Sequence, residues 1–368
     1  MAVVEIASEI RWQGHRFEVP LERILLTEKW GYDAVFTPEG FGAECLIPAG
    51  YLAGHVRHMT IGTRILQVSG RPPSIANASF QALNHLTGGN RIIAGLGSGT
   101  PMQAEGFEGQ PWGNPVKRMR DYVAMLRQGF AGEPFDHQGE VWSAPYRGPG
   151  NKAIPPQKNA LDIISPIPIM IAAAHPQMIS LAAEISEGWF PPSWAPSCLP
   201  YYRPMLEKGF AKAGNSKSMK DFKIWVQLDS IVDDDVRKAM RPFKEYTVSW
   251  AYLQKEIMEA RGYGWLAEKL MDMTEAGKTE QKMHAGENAL DDKHWEEAIN
   301  AVPDEYIDEG WLVGPVERMR EKIKPWLDCG VTGLIIRQGA PFDFERIDEN
   351  LEMYRMIAEE AGKEPRDS

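Results

Sequence analysis

Cysteine is scarce in this chain. Only Cys45, Cys198 and Cys329 occur among 368 residues, far apart and odd in number. That excludes a disulfide framework and any CxxC metal site, so no metal is expected, and it suits a reducing cytoplasm. Basic charge is short as well, with 40 Lys and Arg against 51 Asp and Glu for a net charge of −11 and no basic run. Nucleic acid and anionic membrane surfaces both require a cationic face, so neither is an expected partner. Long apolar runs are missing too. The longest, around Ile167 to Ala174, is far below the ~20 residues of a membrane helix. The opening MAVVEIASEI has no basic segment leading into an apolar one, so no secretory signal is expected.

What is present is 43% apolar residues, 34 glycines and 12 tryptophans, the composition of an ordinary folded soluble protein with many tight turns. Periodicity alternates along the chain. Strand patterns at Val3 to Ser8, Ala34 to Thr37, Ile61 to Val68 and Arg91 to Leu96 are each followed by a helical pattern. These helices cover Pro20 to Trp30, Pro48 to Val56, Ile75 to Leu86 and Val116 to Phe130. The alternation resumes with strands Ile167 to Ala172, Trp189 to Pro191, Lys223 to Val232 and Val331 to Ile336. Their helices are Pro176 to Ser186, Leu199 to Ala213, Val236 to Trp250 and Phe344 to Ala361, and a further amphipathic helix, Gly314 to Cys329, precedes the last strand. Eight alternating units predict a single α/β domain, a (β/α)8 TIM barrel with insertion segments at about 132–166 and 260–308. The competing arrangement is a doubly wound sheet plus a helical domain after residue 235. The barrel is favoured because the eighth strand arrives only after that helical stretch.

Barrel enzymes place chemistry where strands end. The fourth strand ends in Gly95-Leu96-Gly97-Ser98-Gly99-Thr100-Pro101. With Thr100 in the third glycine position and the motif at the fourth strand, a nicotinamide fingerprint does not fit. Glycines here let backbone amides approach a flat ring or a phosphate; a plain flexible turn is the alternative. The fifth strand leads through Ala172-Ala173-Ala174-His175 into a helix start, where an anion is favoured. Arg71 after the third strand is either an anion partner or the mate of a neighbouring acid. Glu39 after the second strand either moves a proton or sits in a solvated loop. Asp229 and Arg337, near the ends of the seventh and eighth strands, either meet substrate or pair with each other. Trp12, Trp189 and Trp194 either wall a flat pocket or pack the core.

Several stretches together resemble the luciferase-like monooxygenase superfamily, in its branch of oxidoreductases that use coenzyme F420. They are WGYDAVFTPEGFG, IGTRILQVSGRPPSIANASFQALNHLTGGNRIIAGLGSG, EGFEGQPWGNPVKRMRDYVAMLRQGFAGEPFDHQGEVW, PIPIMIAAAHPQMISLAAEISEGWFPP and VGPVERMREKIKPWLDCGVTGLIIR. The resemblance implies a flavin or deazaflavin beside Gly97, Ser98 and Gly99, a cis peptide bond at Arg64-Ile65 in the third strand, and Gln67 and Val68 close to the ring. It places Ala173, Ala174 and His175 where backbone amides hold the phosphate or the ring's polar edge. Reduced deazaflavin delivers hydride and reacts poorly with oxygen, whereas FMN relatives often activate oxygen. The activity implied is therefore hydride transfer between F420 and a medium-sized organic substrate. An FMN-dependent monooxygenase and a non-catalytic flavin-binding barrel are the alternatives. The Asp-His pair of the alcohol-oxidising members is replaced here by Glu39 and Gly40, and an acid they use after the glycines by Thr100. Glu39, Glu9 and His175 are thus the candidate proton carriers. Arg71, with Arg64 or Lys117, is the candidate counter-charge for the anionic tail of F420. The family also implies a homodimer.

Overall fold

The computed structural model describes residues 4–10, 17–214, 216–251, 254–274, 292–341 and 349–366. Its strands are β1 (Glu5–Glu9), β2 (Ala34–Thr37), β3 (Thr60–Thr63), β4 (Leu66–Gln67), β5 (Ile92–Gly97), β6 (His137–Gln138), β7 (Ser143–Ala144), β8 (Ile169–Ala172), β9 (Gly188–Phe190), β10 (Lys223–Val232), β11 (Leu312–Gly314) and β12 (Gly333–Gln338). Among the described residues the hydrogen-bonded order is β10-β12-β1-β2-β3-β5-β8-β9, and β9 pairs again with β10. Eight parallel strands therefore close on themselves, and the fold is a (β/α)8 barrel. The helices between them begin where the sequence supplies caps. Asn114 accepts from Lys117 N at 3.1 Å ahead of Pro115–Phe130, Asp235 from Arg237 N at 3.0 Å ahead of Val236–Ser249, and Asn350 from Met353 N at 3.0 Å ahead of Leu351–Glu360.

Two compact units divide the chain. One comprises Ala7–Phe190, Met205–Ile224 and Ser368; the other comprises Met1–Ile6, Pro191–Pro204 and Trp225–Asp367. In the first, Phe36, Phe80, Tyr122, Trp189 and Phe190 are fully enclosed. In the second, the helices Val236–Ser249, Gly264–Thr274, Asp292–Ala301 and Asp304–Gly310 surround a core that includes Phe243, Leu266, Leu270, Ile299, Tyr306 and Trp311. Phe243 and Trp311 stack at 5.1 Å, and the Arg261 guanidinium lies 3.7 Å from the Tyr306 ring centroid. The predicted 260–308 excursion is thus a helical layer with its own apolar interior; residues 275–291 lie outside the described residues.

Three sequence expectations change. The strand predicted over Ile61 to Val68 divides into β3 and β4, because the backbone turns at Arg64 and Ile65. The predicted helix Gly314 to Cys329 becomes β11 and two short helices, Val316–Lys322 and Lys324–Asp328, for Gly314 has φ +107° and prolines stand at 315 and 325. The 132–166 excursion contains the antiparallel pair β6–β7. Asp121 holds it, accepting from Val141 N at 2.7 Å and lying 3.1 Å from His137 Nε2. The last helix is Leu351–Glu360, and the predicted residues 344–348 lie outside the described set.

Candidate active site

The site in the unit Ala7–Phe190 starts from the alternation of strand side chains. The Phe36 and Phe190 rings meet edge to face at 5.4 Å although β2 and β9 are not neighbours in the sheet. Contact between non-adjacent strands requires both rings on the inner face. Glu9 follows the same logic, reaching past β2 to Arg64 NH1 at 2.7 Å. Arg64 Cζ in turn lies 5.9 Å from the Phe190 centroid.

The segment linking β3 to β4 is tied along its length. Arg64 N donates to Thr37 O at 2.8 Å and Val68 N to Gly97 O at 3.0 Å, and the Arg64-Ile65 peptide bond is cis, where the family resemblance placed it. Its side chains press on the end of β5. A Cβ on Gly97 would lie 2.6 Å from Ile65 Cδ1; one on Gly99, at φ +69°, would lie 2.7 Å from Gln67 Oε1. The glycines were expected to clear a path for a ligand. In the structure they first make room for Ile65 and Gln67, which then form the wall. Ser98 is half-buried between them.

Carboxylates secure this wall from behind. Glu39 Oε2 accepts from Gln67 N at 2.6 Å and Oε1 from Arg71, whose guanidinium also lies 3.3 Å from Glu44. Glu44 in turn accepts from Leu46 N at 2.9 Å at the start of helix Leu46–Ala53. Burial raises the Glu39 carboxyl above its ordinary value, although Arg71 and the Gln67 N–H oppose the shift. Burial also pushes the Cys45 thiol well above its ordinary value. Glu39, Glu44 and Cys45 offer ligand atoms within 4.8 Å of one another, but Arg71 bridges both carboxylates and the thiol stays protonated, so the group is built as an ion-pair cluster. Beside it lie buried polar atoms without hydrogen-bond partners: Gln67 Oε1, Ser69 Oγ and the Tyr122 hydroxyl.

Arg71 and Arg64 are each held by acids, and Lys117 pairs with Glu140 at the surface, so each predicted counter-charge already has an acidic partner. The Ala173 N–H donates to Phe190 O at 3.3 Å and its carbonyl accepts from the Trp189 indole at 2.8 Å, which removes that amide from ligand binding. Ala174 is half-buried, and exposed His175 is the N-cap position of helix Pro176–Ile185. Trp189 and Trp194 are enclosed rather than pocket walls; alternation puts Phe190, not Trp189, inward, and Trp194 stacks on Tyr202 at 5.6 Å. Trp12 lies outside the described residues. Sequence reading missed Phe36 and Phe190, which strand alternation could have marked, and Glu44, whose position just before a helix was a usable signal.

In the other unit, Asp229 Oδ1 accepts from Arg337 Nε at 2.7 Å and Oδ2 from Gln227 Nε2 at 2.6 Å.

Residues 5–333 match the luciferase-like monooxygenase family. The chain belongs to that family. It is 28% identical over 332 residues to a Mycobacterium tuberculosis protein provisionally named a coenzyme F420-dependent oxidoreductase, covering 87% of this chain and 90% of that one. A 5,10-methylenetetrahydromethanopterin reductase of Archaeoglobus fulgidus is 26% identical over 285 residues, 77% of this chain and 78% of the relative. Among solved structures, the coenzyme F420-dependent tetrahydromethanopterin reductase of Methanopyrus kandleri superimposes with a TM-score of 0.70 at 19% identity, covering 98% of each chain. That likeness establishes the fold. Across the described residues, no helix is long and apolar enough to cross a membrane.

Proposed function

We propose that this luciferase-like protein is a coenzyme F420-dependent oxidoreductase that moves a hydride between the deazaflavin and a medium-sized organic substrate. The observation that carries the reading is the wall of Ile65 and Gln67 backed by Gly97 and Gly99, with Gln67 Oε1 and Ser69 Oγ buried beside it and lacking partners. An apolar surface bordered by unanswered polar atoms fits a flat heterocycle with polar edges. The named activities of the sequence relatives support F420 as that heterocycle. When bound, the deazaflavin supplies or accepts the hydride. Arg64, Ile65, Gln67, Val68, Gly97, Ser98 and Gly99 would hold it, with Ala174 and His175 at the helix start. Glu39 fixes Gln67 and Arg71 and, with its carboxyl raised by burial, is suited to keeping a proton near the wall; Glu9 and His175 are the other candidate carriers.

Exposed Ile47, Tyr51 and Ile75 on the helices Leu46–Ala53 and Pro73–Leu86 support pairing with a second copy of the chain. A cytoplasmic location remains part of the proposal.

Titration of the purified protein with F420, FMN and nicotinamide nucleotides tests the function. Saturable F420 binding without oxygen consumption is expected. Preferential FMN binding with oxygen turnover would replace this reading with a monooxygenase, and bound F420 that no substrate in a broad library reduces or oxidises would leave a non-catalytic barrel.

A further inference from the structure

Two aromatic rings in the unit Ala7–Phe190 stand largely uncovered, and the proposed hydride chemistry gives them no task. Phe41 follows β2 and Phe107 follows β5, so both belong to segments at C-terminal strand ends, where (β/α)8 folds bind ligands. Their rings meet edge to face at 5.3 Å and 75°, yet Phe41 remains 52% exposed and Phe107 63%. Burying a ring of this size is strongly favourable, and neither ring is buried.

The surroundings keep the rings open and hold them in place. The chain reads Gly40-Phe41-Gly42 in one segment and Gly106-Phe107-Glu108-Gly109 in the other. A Cβ on Gly106 or on Gly109 would meet nothing within 4 Å, so open space adjoins Phe107. Neither segment is slack. Gly40 N donates to Ala43 O at 3.1 Å, closing a turn with Phe41 inside it. Phe107 ends the π-helix Met102–Phe107, which Glu108 N closes onto Gln103 O at 2.9 Å and Gln110 N onto Ala104 O at 2.7 Å. Wide turns of this kind recur at functional sites.

Position ties the pair to the wall of Ile65 and Gln67. Glu39, two residues before Phe41, accepts from Gln67 N and from Arg71. Glu108, next after Phe107, lies over Gly70, where a Cβ would come 2.8 Å from its Oε1. Both rings are thus carried beside Gly70 and Arg71, the stretch that continues from Gln67. The charges of Glu39, Glu44 and Arg71 are engaged with one another, so what this part of the rim offers a ligand is aromatic surface. Two rings at 75° present a face beside an edge. An aromatic ligand stacks on the one and meets the other edge to face, contacts that depend on the ring quadrupole and that a saturated ring of like volume cannot make.

We propose that Phe41 and Phe107 contact the substrate and select for a planar aromatic compound. Calling that compound the substrate rests on the oxidoreductase reading; the ring binding itself does not.

The test is calorimetric titration of the full-length protein, both loaded with F420 and free of it, with 2-naphthol and with its saturated counterpart decahydro-2-naphthol. The naphthol is expected to bind about 2- to 10-fold more tightly, the range of an aromatic pair. Phe41→Leu with Phe107→Leu should erase that preference, and Phe41→Tyr with Phe107→Tyr should retain it; both positions are exposed, where such changes leave folding intact. Equal binding of the two compounds, no saturable binding of the naphthol, or a preference that survives in the leucine double variant overturns the proposal. Absent naphthol binding together with a lower oligomeric mass of the leucine variant, measured by light scattering, would assign the rings to contact between two copies of the chain. F420 affinity is a separate titration, so its failure retires the cofactor reading and leaves the ring preference standing, whereas loss of the ring preference leaves the cofactor reading intact.

Discussion

The two units each contain an acid–arginine pair beside a strand end, and the pairs are built for different ends. In one unit, Glu39 divides its carboxylate between Arg71 and the backbone N–H of Gln67, and Arg71 also reaches Glu44. That pair fastens main chain. In the other unit, Asp229 divides its carboxylate between two side chains, Arg337 and Gln227. That carboxylate is held by side chains. The same two residue types therefore fix main chain in one place and tie strand β10 to β12 through side chains in the other, and the difference lies in whether the acid also accepts from a main-chain N–H.

Replacing each pair by apolar residues separates these roles with the largest expected effect. Glu39→Leu with Arg71→Met leaves the Gln67 N–H without its acceptor and takes the arginine from Glu44, which keeps the N–H groups of Leu46 and Ile47. A stability loss of about 2–3 kcal/mol is expected, measured by urea unfolding, together with loss of F420 binding. Asp229→Leu with Arg337→Met removes both ions of a pair whose acid accepts from side chains. That double variant is expected to stay within about 1 kcal/mol of the natural protein. Equal destabilisation by the two replacements would show that the main-chain N–H makes no difference.

The sequence made the barrel legible because periodicity and glycine punctuation are local, and eight strand–helix alternations survive errors at their ends. The pairing of Asp229 with Arg337 was open to the sequence as an alternative, because both stand near the ends of neighbouring strands. The other two pairings were not legible: Glu9 and Arg64, and Glu39 and Arg71, are 55 and 32 residues apart, and nothing local states which acid meets which arginine. For Arg71 the sequence left an anion partner and a neighbouring acid as alternatives, and the fold supplies the acids, Glu39 and Glu44. The glycines at the end of the fourth strand stand out in the sequence, but the nearest neighbours of Gly95, Gly97 and Gly99 are Thr63, Ile65 and Gln67, more than thirty positions earlier, so their role in packing is visible only in the fold.

That packing supplies a test of intermediate size. Gly97→Ala puts a methyl group 2.6 Å from Ile65 Cδ1, and crowding of this kind costs about 1–2 kcal/mol. It should weaken F420 binding. Adding Ile65→Ala removes the opposing atoms, so the double variant should recover most of the lost stability without recovering F420 affinity, because the wall itself is gone. Full recovery of affinity would assign the glycine, rather than Ile65, to the cofactor.

The smallest effect concerns protons. Burial, opposed by Arg71 and the Gln67 N–H, raises the Glu39 carboxyl above its ordinary value of 4.5. Between the ordinary and the raised value the folded protein binds more protons at this site than the unfolded chain, so the stability contribution of Glu39 grows as pH falls through the raised value and levels off below the ordinary one. Glu39→Gln has no such proton. The stability of the natural protein minus that of Glu39→Gln, taken from urea midpoints at a series of pH values, should therefore increase on acidification. A difference for Glu39→Gln that shrinks on acidification would mean that Arg71 and the Gln67 N–H outweigh burial, making Glu39 a fixed carboxylate clamp with no proton to offer the reaction.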